Sequence, residues 1–119
     1  MSLVRGTLVW LEPDPTPGLG REQQGRRPAV VVSDDLTNEL RFVSMIAVVP
    51  VTTNTSLSTG FYPLLTARPG GLKKDSSALP DQLRSVDKGR VTGRIGTVTV
   101  SELSAIDASL RRFLGLGKN

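Results

Sequence analysis

The spacing of apolar residues changes once along the 119-residue chain, near residue 99. Before that point, short apolar runs rich in β-branched residues are separated by Pro and Gly, which is typical of strands joined by turns. After it, apolar residues recur at helical spacing. These are Leu103, Ile106, Leu110, Phe113 and Leu114. Thr99 and Glu102 are placed as an N-terminal capping box, and Gly115 follows the last turn. The pattern predicts a mainly β domain that ends in one amphipathic helix.

Three apolar runs in the first half of the chain predict strands. The first is "LVRGTLVWL" at 3–11 and the second is "RPAVVVS" at 27–33. The third, "RFVSMIAVVPVTT" at 41–53, is apolar at both alternating sets of positions, so we expect a central strand that is buried on both faces. Pro50 has no N–H to donate, and we expect it to mark an edge, a bulge or the end of this strand.

Shorter segments complete the predicted architecture. The segment "DDLTNEL" at 34–40 predicts a turn or a short helix capped by an aspartate. "GFYPLL" at 60–65 predicts a fourth strand, and "SSALPDQLRSVDKGRV" at 76–91 predicts one or two more that Pro and Gly interrupt. The expected fold is a small, mostly antiparallel β-barrel or strongly curved sheet with the helix packed on it, in a single domain over residues 1–119.

Composition and charge narrow the function classes. Fifteen Lys and Arg against eleven Asp and Glu leave a net charge of +4, which favours a polyanionic partner. The chain has no cysteine and no histidine, which excludes disulfides and thiolate metal sites and removes the usual nucleophile and acid–base residues. No segment resembles a signal peptide or a membrane span, so we expect a cytoplasmic protein with no membrane partner.

A long loop leads into the second strand at an arginine pair. Residues 12–26 hold three prolines and three glycines without apolar periodicity, and connections of this length are often functional. Pro28 restricts the preceding residue to an extended conformation, so Arg27 shares a strand face with Ala29 and Val31. A surface arginine that guards a strand end is the alternative interpretation.

Two other polar residues stand where strands end or turn. Thr52 closes the central strand, and Asp81 follows Pro80 in the segment "LPDQLRSVDK". The alternative for Thr52 is ordinary strand propensity, and for Asp81 it is a turn or a cap. Arg27, Thr52 and Asp81 are nevertheless candidates for a common functional site, because a sheet this small brings its strand ends and turns close together.

Four segments, in order, resemble the MazF/PemK/Kid toxins of bacterial toxin–antitoxin systems, endoribonucleases that cut messenger RNA at selected sequences. They are "GTLVWLEPDPTPGLGREQQGRRPAVVVS", "VVPVTTN", "DSSALPDQLRSVDKGRV" and "IGTVTVSELSAIDASLRRFL", which together span most of the chain. The resemblance implies the family's small SH3-like antiparallel β-barrel with a C-terminal α-helix. It also implies that Arg27 is similar to the essential arginine and Thr52 to the essential threonine. Asp81 resembles a site residue of some members, with Leu79 where one branch has an arginine.

RNA cleavage suits a chain that lacks cysteine and histidine, because the 2′-hydroxyl of the substrate is the nucleophile. The protein then has to align phosphate and hydroxyl and to stabilise negative charge on the phosphorane. We expect Arg27 to clamp the phosphate, since a guanidinium is a poor base but a good bidentate donor. We expect Thr52 to hydrogen-bond the phosphate or the 2′-hydroxyl and Asp81 to act as the base. No metal and no cofactor are expected, because the carboxylates show no paired metal-ligand spacing.

Partners follow from the same interpretation. We expect single-stranded RNA, a cognate acidic antitoxin and a homodimer. The predicted RNA-contacting residues are Arg21, Glu22, Gln23, Arg26, Thr53, Gln82, Arg84 and Lys88. Further basic residues are expected to follow the RNA backbone: Lys73, Lys74, Arg90 and Arg94. The alternatives are a CcdB-type toxin that poisons gyrase on the same fold, and a barrel that binds nucleic acid without cutting it.

Overall fold

The computed structural model describes residues 2–13 and 25–117. These residues form one curved antiparallel sheet and two helices. The strands are β1 (Thr7–Leu11), β2 (Arg27–Val31), β3 (Met45–Thr52), β4 (Leu64–Leu65), β5 (Ser76–Ala78), β6 (Arg84–Asp87) and β7 (Val91–Thr97). The helices are α1 (Asp35–Asn38) and α2 (Val100–Leu114). The sheet order is β4-β5-β3-β2-β1-β7, and β6 also pairs with β3. The predicted fold, mainly β with one C-terminal helix, is confirmed.

Strand β3 is the centre of the sheet. Along one edge it pairs with β2. Along the other edge its first half pairs with β6, up to Val48 opposite Arg84, and its end pairs with β5, from Val51 opposite Ala78. Pro50 lies between these two partners, where the ladder needs no donor from its nitrogen. The prediction of a central strand is confirmed, and Pro50 marks the change of partner.

Both faces of the sheet are buried. Alternate residues of β1, β2 and β3 point to opposite faces and belong to two separate apolar clusters. The concave cluster comprises Val9, Leu11, Ala29, Val31, Ile46, Val48 and Val86. The helix-side cluster includes Leu8, Val30, Val32, Val49, Val51, Ile106 and Leu110. A fully buried Val or Leu contributes about 1.5–3 kcal/mol, so each strand is fixed in register by both of its faces.

Helix α2 begins and ends as the sequence predicts. The Thr99 side chain accepts from the Glu102 N–H, the Glu102 carboxylate accepts from the Thr99 N–H, and Gly115 closes the helix at φ 69°. Ile106 and Leu110 are buried against the sheet. Phe113 and Leu114 were expected on the same buried face but are 49% and 48% exposed, because the last turn extends beyond the sheet.

Other predicted boundaries shift for local reasons. Strand β1 begins only at Thr7, because Gly6 adopts φ +91° in a turn. The predicted fourth strand shrinks to Leu64–Leu65. In the segment 34–40 the expected short helix forms as α1, and Asp34 is the aspartate that caps it by accepting from the Thr37 N–H.

Strand β7 was not predicted at all. Its two glycines, Gly93 and Gly96, lower strand propensity, yet both lie where another group comes close. A Cβ at Gly96 would lie 2.4 Å from the Gly70 carbonyl oxygen, so the turn before Lys73 packs directly against the β7 backbone. Glycine is thus required there by a close approach of two backbones.

Glu102 connects α2 to the chain that follows β4. Its carboxylate accepts from the N–H groups of Thr99 and Thr66, each at 2.9 Å, and from Arg68 Nη2 at 2.9 Å. Burial acts to raise the pKa of Glu102, but the hydrogen bonds from Thr99, Thr66 and Arg68 outweigh it, so the pKa lies below the usual 4.5.

We predict that Glu102 contributes stability that acid removes. Because the pKa is lower in the folded state, the contribution is complete above the unfolded-state value and is lost as pH falls through the folded-state value. Glu102→Gln should lower the free energy of unfolding by about 1 kcal/mol at neutral pH. Urea melts at descending pH should show this difference from wild type shrinking below the usual glutamate pKa. Exposed Glu39→Gln is the control, and an equal loss at all pH values would contradict the prediction.

Candidate active site

The β2–β3 ladder brings Arg27 and Thr52 together. Ala29 pairs with Pro50, and continuing that register to the strand ends sets Arg27 opposite Thr52. Residues directly opposite one another in an antiparallel ladder project to the same face, here the concave one that carries Ala29. Two candidate catalytic residues, 25 positions apart in sequence, thus share one end of one face.

The segment that leads into β6 adds an amide, and the first residue of β6 adds a further guanidinium. Gln82 closes the 3-10 turn Pro80–Gln82, and Arg84 begins β6 opposite Val48. The result is an open groove of about 520 Å³. Its walls are Arg26, Arg27, Pro28, Pro50, Val51, Thr52, Thr53, Leu79, Gln82 and Arg84. We call this the Arg27 groove.

The chemistry of the Arg27 groove favours an anion. Among the described residues that line it there are three arginines and no carboxylate. Guanidinium groups are planar, permanently charged and suited to bidentate phosphate binding. The Thr52 hydroxyl adds a directed donor, since its Oγ1 already accepts from the Asn54 N–H at 3.2 Å and its own proton is left to donate.

Asp81 is next to the groove in sequence but does not line it. Its Oδ2 accepts a hydrogen bond of 2.9 Å from the Tyr62 hydroxyl. This bond, with smaller contributions from burial and from the Asp81 charge, raises the pKa of Tyr62. The structure therefore places Asp81 against the 53–63 connection, and it does not bring all three candidate catalytic residues into one groove.

A second depression lies on the other face of the same sheet edge. Arg26 and Thr53 stand one residue beyond the ends of β2 and β3 and border both this depression and the Arg27 groove. Continuing the alternation of the strands turns both towards the face that carries Trp10. The Arg26 guanidinium lies 4.3 Å from the centre of the Trp10 ring. The depression measures about 610 Å³. Its walls are Trp10, Arg26, Pro28, Thr53, Gly71, Leu72, Lys73, Lys74, Ser76, Arg94 and Ile95. We call this the Trp10 depression.

The remaining predicted RNA contacts lie elsewhere. Lys88 donates to the Leu40 carbonyl at 3.2 Å and borders neither the Arg27 groove nor the Trp10 depression. Arg90 donates through Nε to the Glu12 carbonyl at 3.1 Å and holds the start of the long loop. Three predicted contacts lie outside the described residues: Arg21, Glu22 and Gln23.

Two candidate residues have aromatic partners that the sequence does not predict. Trp10 contacts Arg26, and Tyr62 contacts Asp81, whereas the sequence pattern indicates only that each aromatic residue belongs to a strand. The strand pairing of Trp10 with Pro28 is what sets the indole beside Arg26, and no local pattern predicts such a register.

Two further features of the described residues concern metal binding and membrane insertion. Across residues 2–13 and 25–117, no three His, Cys, Asp or Glu side chains converge closely enough to hold a metal ion. Neither helix in those ranges has the length and apolar content that a membrane span requires.

The chain is thus a small β domain that combines a half-barrel sheet, a terminal helix and an arginine-lined groove. A family profile described as the PemK-like, MazF-like toxin of type II toxin–antitoxin systems matches residues 4–114. The chain belongs to this family, and the resemblance inferred from its sequence is confirmed.

Individual relatives match over almost their whole length. The chain is 37% identical over 117 residues to "Endoribonuclease MazF9" of Mycobacterium tuberculosis, covering 96% of this chain and 98% of that protein. It is 38% identical over 111 residues to "Endoribonuclease toxin MazF" of Escherichia coli K12, covering 92% of each. Among solved structures, a MazE–MazF crystal structure from Deinococcus radiodurans superimposes with a TM-score of 0.77 at 28% identity, covering 98% of this chain and 99% of the other.

Proposed function

We propose that this chain is a toxin that cleaves single-stranded RNA in the cytoplasm as a metal-independent endoribonuclease. The observation that carries the proposal is the Arg27 groove, in which Arg27 faces Thr52 at the end of a rigid ladder and no described carboxylate is present. The names of its relatives support the reaction class, since both relatives described above are endoribonucleases.

The proposed reaction uses the substrate's own 2′-hydroxyl. This oxygen loses its proton and forms a bond to phosphorus, the bond from phosphorus to the 5′-oxygen breaks, and the leaving oxygen takes a proton. The products are a 2′,3′-cyclic phosphate, or the 3′-phosphate after its hydrolysis, and a 5′-hydroxyl. Arg27 binds the non-bridging oxygens bidentately and stabilises their growing charge. Thr52 donates a hydrogen bond from its hydroxyl to a phosphate oxygen, and Gln82 and Arg84 hold the flanking chain.

Asp81 as the general base stays a prediction. Its carboxylate holds Tyr62, so it has to exchange that hydrogen bond for one to the 2′-hydroxyl. The turn that carries Asp81 also carries Gln82, which lines the Arg27 groove, so a short movement of this turn would bring the carboxylate to the substrate. A base with such a competing partner suits a slow enzyme.

The antitoxin partner is proposed on charge and on related complexes. A structure from a mycobacterial species is described as an endoribonuclease in complex with its cognate antitoxin, and the Deinococcus structure is a MazE–MazF complex. This chain carries a net charge of +4, and three of its eleven arginines line the Arg27 groove. An acidic antitoxin segment that folds over this groove would compete directly with RNA.

The dimer is proposed on an exposed apolar patch. Phe113, Leu114 and Leu116, at the end of α2, are 49%, 48% and 57% exposed. Leu114 and Leu116 border a depression that Leu83 also lines, one residue from Arg84 of the Arg27 groove. A two-fold contact across this patch would cover the apolar side chains and bring the two grooves close together.

The gyrase-poisoning alternative fits this chain less well. Toxins of that kind act through a tryptophan in the C-terminal tail, whereas the single tryptophan here lies in β1. The alternative of a non-cleaving nucleic-acid-binding barrel is decided by the cleavage assay that follows.

Incubation with end-labelled single-stranded RNA tests the proposed reaction. We expect discrete fragments with 5′-hydroxyl ends, cleavage that persists in EDTA, and no cleavage of DNA. Once a cut site is mapped, a single 2′-deoxy residue at that position should abolish the cut, because the nucleophile is missing. Full activity on the 2′-deoxy substrate, or 5′-phosphate products, would reject the proposed mechanism.

Substitutions of Arg27 test the phosphate clamp. Arg27→Lys keeps the charge but loses the two-pronged geometry, so single-turnover cleavage should fall at least about a hundredfold, with thermal melting nearly unchanged. Exposed Arg41→Lys is the matched control for exchange of a guanidinium for an ammonium group. An Arg27→Lys rate within about threefold of wild type would return Arg27 to a structural role. In the same assay Asp81→Asn should lower the single-turnover rate about a hundredfold, because an amide cannot take the proton of the 2′-hydroxyl, and an unchanged rate would limit Asp81 to holding Tyr62.

Light scattering tests the dimer. We expect a mass near twice the 12.7 kDa of one chain at micromolar concentration, and a shift towards the single-chain mass for Leu114→Lys, which places a charge in the apolar patch. Exposed Leu57→Lys, in a separate loop, is the control. A wild-type mass near that of one chain would contradict the proposal.

A further inference from the structure

The Trp10 depression plays no part in the proposed reaction, yet its residues are an uncommon combination. The partly exposed Trp10 ring is covered on one side by the Arg26 guanidinium at 4.3 Å. Gly93 is paired with Trp10 across the β1–β7 ladder, and a Cβ there would lie 3.7 Å from Trp10 Cδ1. With no side chain at Gly93, the indole edge stays uncovered on that strand.

The charged residues around Trp10 are all cations. Within the described part of the chain, the walls of the depression carry Arg26, Lys73, Lys74 and Arg94, and no carboxylate. Lys73 and Lys74 are exposed and follow the turn that packs on Gly96. An aromatic face, a stacked guanidinium and flexible ammonium groups are the elements by which proteins hold single-stranded nucleic acid.

The Trp10 depression lies directly beside the Arg27 groove. The two share Arg26, Pro28 and Thr53 as a common wall, where β2 begins and β3 ends. Arg26 and Arg27 are adjacent and point to opposite faces of the sheet. An RNA chain bound at Arg27 therefore needs to pass only around the start of β2 to reach the indole of Trp10.

We propose that the Trp10 depression is a nucleotide subsite of the enzyme. The base of a nucleotide close to the scissile phosphate stacks on the Arg26–Trp10 pair, and Lys73, Lys74 and Arg94 bind the adjoining phosphates. The proposal rests on the proposed function for its ligand class, single-stranded RNA. It adds that the chemical step occurs at Arg27 and that the base contact occurs at Trp10, on the opposite face of the sheet.

The single tryptophan makes the subsite directly observable. Trp10 is the only tryptophan, so its emission reports on this depression alone. The probe is a mixed-sequence oligomer of 2′-O-methyl RNA, which cannot supply the nucleophile, and the matched control is an abasic oligomer of equal length and charge. We expect saturable quenching by the base-containing oligomer and little or none by the abasic one. Equal responses would assign the surface to phosphates or to an acidic peptide and would overturn the subsite.

A charge-matched pair of variants separates stacking from general attraction. Arg26→Ala should weaken binding of the base-containing oligomer by about tenfold, within the range for loss of one stacking contact, whereas Arg41→Ala should weaken it by only about twofold. Equal effects of the two variants on binding would overturn the proposal.

The experiment distinguishes this inference from the proposed function. Base-dependent quenching without RNA cleavage would reject the enzyme and keep the subsite. Cleavage without base-dependent quenching would reject the subsite and keep the enzyme, and absence of both would reject both.

Discussion

The pairing of β2 with β3 is the constraint on which the rest of the structure depends. Both strands are buried on both faces, so a slip of one residue would exchange the positions of the concave and helix-side clusters. The same register sets Arg27 opposite Thr52 and Arg26 near Thr53. The geometry of the polar end therefore comes from apolar packing several residues away.

Most of the fold follows from local pattern, and the exceptions have tertiary causes. Two-sided apolarity at 41–53 and the helical spacing after Thr99 predict β3 and α2, because each pattern reports burial within its own element. Strand β7 is not predictable from local sequence, because its glycines are explained by contacts with distant residues. Gly96 lies against the backbone of the turn at Gly70 and Gly71, and the residues next to Gly96 in sequence do not indicate this contact.

The residues of the candidate site also fall into those that the sequence predicts and those that depend on tertiary packing. Arg27 and Thr52 are predictable, since Pro28 orients one and the end of a strand locates the other. Asp81 and Lys88 both lie on 3-10 turns, and their hydrogen bonds to Tyr62 and Leu40 depend on which distant segment packs beside them. Glu22 and Gln23 lie outside the described residues, so the structure adds nothing to the sequence for them.

Adjacent arginines at the start of β2 have a simple geometric consequence. A strand turns neighbouring side chains to opposite faces, so Arg26 and Arg27 supply positive charge to both sides of one edge from two consecutive positions. On the concave side the guanidinium meets a threonine hydroxyl, which suits a phosphate whose 2′-hydroxyl neighbour brings the nucleophile. On the other side it meets an indole, which suits a base. A chain without cysteine or histidine can thus divide phosphate binding from base recognition by the alternation of a single strand.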